Sequence, residues 1–141
     1  MAVDFARRVS EIRRAYSGAP WESKVGYCRA VRAGPHVWVT GTVALDDAGN
    51  AFAPGDAGAQ AARCFEIIAK ALGDVGADIS DVVRTRMFVT DISRWEEIGA
   101  AHGAVFRDHP PATTMVQVSS FIGPEFLVEV EADAFVSGEM E

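Results

Sequence analysis

The 141 residues are 49% hydrophobic, enough for one domain with a packed core and far from the composition of a disordered chain. A formal net charge of −7 gives a surface that repels phosphate backbones, which argues against a nucleic-acid partner. No apolar run approaches the ~18 residues of a membrane span, no continuous apolar stretch opens the chain, and Cys28 and Cys64 form neither a disulfide framework nor a zinc-ligand spacing. A soluble, cytoplasmic protein with no membrane partner and no metal is therefore expected.

In chain order, Phe5, Val9, Ile12 and Tyr16 recur at helical spacing, with Asp4 as N-cap and Ser17-Gly18-Ala19-Pro20 as the stop. Residues 1–20 are thus expected as a helical extension, on which Arg7, Arg8, Arg13 and Arg14 form a solvated face. Residues 26–32 and 36–42 predict two strands joined at Ala33-Gly34-Pro35. A helix is predicted from Asp56, with Ala61, Cys64, Phe65, Ile68, Leu72 and Val75 buried, Gln60, Arg63 and Lys70 on the other side, and Gly76 just past its end. Residues 83–89 read as a strand. Ser93 to Glu96 form a capping-box pattern opening a second helix, along which Trp95, Ile98, His102 and Val105 share a face. His109-Pro110-Pro111 stops it, and residues 113–118 and 126–135 predict the last two strands. The order implies an α/β (α+β) domain over 21–136, a mixed sheet with two helices packed on one face, and a polar tail at 137–141.

The last strand carries the most chemistry. Val128, Val130, Ala132 and Ala134 alternate with Glu129, Glu131 and Asp133, so three carboxylates share one face. They could form a solvated surface paired across strands to Arg84 and Arg86, or one glutamate could line a cleft and handle a proton. Periodicity alone favours the first. The three histidines are scattered without a matching nucleophile and carboxylate, and no phosphate-binding glycine motif occurs.

Five stretches together resemble the Rid (reactive intermediate deaminase, YjgF-like) family. They are Gly26-Tyr27, Val39-Thr40-Gly41, residues 83–91, residues 110–118 and the run Phe126-Leu127-Val128-Glu129-Val130-Glu131-Ala132. The resemblance spans about residues 24–136. It implies a chorismate mutase-like fold, a homotrimer with clefts at the subunit boundaries, and no cofactor. In the family's best-studied branch, enamines and imines are hydrolysed to 2-keto acids and ammonia. An arginine there grips the substrate carboxylate and a glutamate orients the water. By this resemblance Glu129 is the catalytic residue, and Tyr27, Thr40, Ser93, Thr113, Thr114 and Met115 bind substrate. Thr113 stands at the arginine position, and threonine supplies no cationic fork. The implied ligand is then a small imine, enamine or carbonyl compound without a carboxylate at that point, or one held by the Thr113 and Thr114 hydroxyls. A non-catalytic metabolite-binding or regulatory trimer is the alternative, and ribonuclease activity ranks last because of the acidic charge.

Overall fold

The computed structural model describes residues 12–137. Among these residues six strands form one sheet: β1 (Ile12–Ala15), β2 (Ala30–Ala33), β3 (His36–Thr42), β4 (Val82–Val89), β5 (Ala112–Gln117) and β6 (Val128–Phe135), in the order β1-β2-β3-β6-β4-β5. Only the β4–β5 pairing is parallel; the others are antiparallel. The parallel step follows from what lies between, since a parallel return needs a crossover, here a helix. A short helix α1 (Pro20–Val25) precedes the sheet's centre, and two longer ones, α2 (Ala57–Asp74) and α3 (Trp95–Phe106), supply the second layer.

The core lies between the sheet and α2 and α3. Val128, Val130, Ala132 and Ala134 all point into it, as their alternation requires. They meet Ala61, Cys64, Phe65, Ile68 and Leu72 of α2, with Ile98 and Phe106 of α3 closing the far side. Asp56 caps α2 by accepting from the Ala59 amide at 3.0 Å, and Gly76 turns the chain away at φ +78°. Gln60 departs from the expected outer position. It is fully buried, its Nε2 donating to the Glu125 carbonyl at 3.0 Å while its Oε1 accepts from the Leu127 amide at 2.8 Å. An amide side chain tolerates the core because both of its ends are satisfied.

Four further local expectations are corrected. Ile12–Ala15 is an edge strand paired with Ala30–Ala33, so the helical spacing of Ile12 and Tyr16 is coincidental; Phe5, Val9 and the proposed Asp4 cap lie outside the described residues. Residues 26–29 are not strand: Pro20 starts α1, where its missing donor and fixed φ do no harm, and Gly26 ends it at φ +91°. The second long helix opens without the Ser93–Glu96 capping box. The Asp91 carboxylate accepts from both the amide and the hydroxyl of Ser93, at 3.0 and 2.6 Å, so the charged acceptor takes the role and consumes the serine. Trp95 is exposed rather than on the buried face.

Candidate functional site

The register resolves what the three acidic residues of β6 do. Arg84 stands opposite Asp133 and Arg86 opposite Glu131, but Glu129 faces Phe88. Arg86 forms ion pairs with Glu131 at 3.5 Å and Asp133 at 3.3 Å. Glu129 has no such counter-charge across the ladder. Half-buried, it makes no hydrogen bond or ion pair with any described residue. Burial pushes its carboxyl above the usual glutamate range, the charge of Glu131 adds to this, and nearby Arg29 pulls the other way.

Glu129 lines a pocket of about 390 Å³ beside the irregular stretch of the β3–β6 pairing between Val39 and Thr42. The chain leading into α1, the outer face of α2 and the 121–126 loop form the remaining walls, with Trp21, Tyr27 and Phe126 as aromatic surface. Gly41 makes the geometry possible, because a Cβ at that position would overlap the Glu129 carboxylate. No described group of three or more His, Cys, Asp or Glu residues is arranged to hold a metal ion.

The pocket wall includes one member, Arg29, of a buried ion pair that sequence patterning did not reveal. Arg29 contacts the Glu22 carboxylate through Nη2 at 3.0 Å and donates from Nε at 3.1 Å. Its Nη1 donates to the Gly41 carbonyl at 2.7 Å and to Thr42 Oγ1 at 3.3 Å. Glu22 also accepts from the Ser17 hydroxyl and from the Ser17 and Gly18 amides. Burial alone would raise the Glu22 carboxyl, but these donors, Ser17 and Arg29, outweigh it and hold it below the usual range. The pair thus staples the 17–22 segment to the strand that carries Gly41, and the Tyr27 ring packs 5.6 Å from the guanidinium. A signal was present in the sequence, an arginine two places after Tyr27, but its inward direction depends on the turn that α1 imposes.

Of the sequence-predicted residues, Glu129 and Tyr27 come together in this pocket. Tyr27 also borders a second groove, on the side of Thr40, Glu131 and Asp133. Thr113, Thr114 and Met115 do not reach either hollow within one chain; they lie on β5, the free edge of the sheet. The Thr113 hydroxyl accepts from Thr85 Oγ1 at 2.7 Å, and Thr85 in turn meets His102 Nε2 at 2.8 Å. Burial between Phe65 and Phe106 holds His102 below the usual histidine range. Ser93 is occupied by Asp91 on the exposed turn before α3.

Together these features define a small α+β domain whose sheet frames a pocket in which Glu129, alone among the lining carboxylates, has no hydrogen-bond or ion-pair partner among the described residues. Comparison with known proteins narrows the class. A family model described as Endoribonuclease L-PSP matches residues 18–136. The crystal structure of Rv2704 from Mycobacterium tuberculosis, of the YjgF/YER057c/UK114 family, is 47% identical and superposes with a TM-score of 0.80, covering 89% of this chain and 99% of that one. An uncharacterised protein of Streptomyces coelicolor is 36% identical over 88% of this chain and 92% of its own. The 3-aminoacrylate deaminase RutC of Acinetobacter baylyi is 30% identical over 78% of this chain and 86% of its own. The chain belongs to the Rid (YjgF, L-PSP) family.

Proposed function

We propose that the protein is a cytoplasmic homotrimer that binds a small imine, enamine or carbonyl compound in a cleft between subunits and hydrolyses the C=N bond without a cofactor. Glu129 is the catalytic residue: its carboxylate orients a water and takes a proton as the water attacks. The observation that carries this reading is the unpaired, half-buried Glu129 facing the pocket beside Tyr27. A carboxyl whose proton affinity is raised by burial is better matched to proton transfer than a free glutamate. RutC, a relative described as acting on 3-aminoacrylate, supports C=N-related chemistry. Thr40, Ser93, Thr113, Thr114 and Met115 are assigned to substrate binding, those on β5 acting from a neighbouring copy.

The test offers purified protein several freshly generated imines and follows ammonia release. The wild type is expected to exceed the buffer rate, and Glu129→Ala to lose roughly 10²-fold or more of that excess. Equal rates for the two proteins would remove the catalytic assignment.

A second reading, a binding or regulatory trimer without turnover, is favoured by one observation: Thr113 stands where the best-studied branch has arginine, and its hydroxyl is already tied to Thr85. Ligand-induced thermal stabilisation without ammonia release would select it. Ribonuclease activity finds little support at a net charge of −7.

A further inference from the structure

The charges around the pocket fall into two kinds. Every cation that lines it is already engaged. Arg29 is held by Glu22 and the Gly41 carbonyl. Arg63 donates to the Leu45 carbonyl at 2.7 Å and pairs with Asp47 at 3.3 Å and Glu66 at 3.2 Å. Lys70 pairs with Asp74 at 3.0 Å. Among the lining carboxylates, Asp46 accepts from the Ala48 and Asn50 amides, whereas Glu129 makes no hydrogen bond or ion pair with any described residue. An anionic ligand would have to break one of these pairs and then sit near a like charge that Arg29 offsets only in part. A cationic ligand breaks nothing and meets an open carboxylate flanked by aromatic rings.

We propose that the pocket selects a ligand bearing a protonated nitrogen on an apolar or aromatic arm, an iminium derived from an amine, and discriminates against 2-imino acids. This rests on the reading of the Glu129 pocket as the functional site, and it names the ligand class that site accepts. The nitrogen lies against Glu129, while the arm packs on Trp21, Tyr27 and Phe126. In the reaction, water oxygen bonds to the iminium carbon as Glu129 takes one water proton, and the C=N π pair returns to nitrogen to give a neutral carbinolamine. Glu129 then returns the proton to that nitrogen and the C–N bond breaks. Ammonia leaves as the hydroxyl oxygen, shedding its proton to the ammonia, becomes the carbonyl. One iminium and one water give one carbonyl compound and one ammonium ion.

Titration calorimetry with the full chain, using benzylammonium, benzamide and benzoate as cationic, neutral and anionic probes, tests the class directly. Benzylammonium is expected to bind at least roughly tenfold more tightly than benzoate, a ratio in keeping with one partly desolvated charge contact. Glu129→Gln, checked for an unchanged melting temperature, is expected to erase that ratio while leaving benzamide affinity alone. In a parallel turnover arm, the imine released from benzylamine by an amine oxidase competes with that released from phenylalanine by an amino-acid oxidase, and the first is expected to be consumed faster. Benzoate binding as tightly as benzylammonium, no binding by benzylammonium, or faster consumption of the phenylalanine imine overturns the inference. Binding of benzylammonium with neither imine hydrolysed overturns the hydrolase reading instead and leaves the ligand class standing.

Discussion

At the scale of single residues, the Glu22–Arg29 pair decides how the pocket responds to acid. Because the folded-state affinity of Glu22 for a proton lies below its unfolded value, its contribution is complete above the unfolded pKa of about 4.3 and fades as pH falls through the lower folded value. Glu22→Gln should therefore flatten the acid limb of a stability-against-pH curve from urea unfolding. At neutral pH the variant should be less stable by about 3–5 kcal/mol, since Arg29 is left charged and buried without its counter-ion. An unchanged acid limb would mean that the pair is relaxed in solution. Gly41 argues differently. A Cβ there meets only the far end of a flexible glutamate, so Gly41→Ala should shift stability by less than about 1 kcal/mol while swinging Glu129 off its position. Imine hydrolysis should fall roughly as far as in Glu129→Ala, and a normal rate with normal stability would show that the carboxylate works from another rotamer.

At the scale of elements, Gln60 links the core helix to the wall of the site. It fixes both backbone faces of the 125–127 segment, whose Phe126 lines the pocket. Gln60→Leu should cost about 1–3 kcal/mol, because it strands the Leu127 donor and the Glu125 acceptor in the interior, and the Leu127 amide should exchange with deuterium faster than its neighbours. Elements with many repeated contacts were legible in the sequence. β6 alternates over eight residues and α2 carries its stripe over five turns, so in both the pattern outweighs any single position. The four-residue β1 and six-residue α1 offered too few periods, and the helical spacing of Ile12, in the first, and Tyr16, just past it, misled. The site followed the same division. Glu129 and Tyr27 sit in regular or family-like stretches. Gly41 also sits in such a stretch, but its role, like those of Arg29 and Gln60, depends on tertiary neighbours that no local pattern encodes.

At the scale of the whole molecule, the sheet has one face covered by helices and one that is left bare among the described residues. Trp38 is 47% exposed on the bare face, stacked on His36, which in turn packs against Phe135. Beside them lie the Arg86–Glu131–Asp133 charges, and β5 ends the sheet as a free edge with Val116 also exposed. A half-apolar face next to a strand with one open edge invites a second copy, and closed assembly of identical chains covers such a surface without leaving edges. In the proposed trimer, the β5 threonines of one copy are assigned to the pocket of another. Trp38→Glu places a charge in the middle of that face while leaving the helix-covered core untouched. In sedimentation equilibrium the wild type should weigh about three times the 15.1 kDa chain, and the variant should shift toward a single chain with an unchanged far-UV circular dichroism spectrum. If residues from β5 complete the site, ligand binding should weaken in step with dissociation and recover as protein concentration is raised, because mass action restores the shared cleft. Full binding by the dissociated chain would confine the site to the Glu129 pocket of one subunit and remove Thr113, Thr114 and Met115 from it.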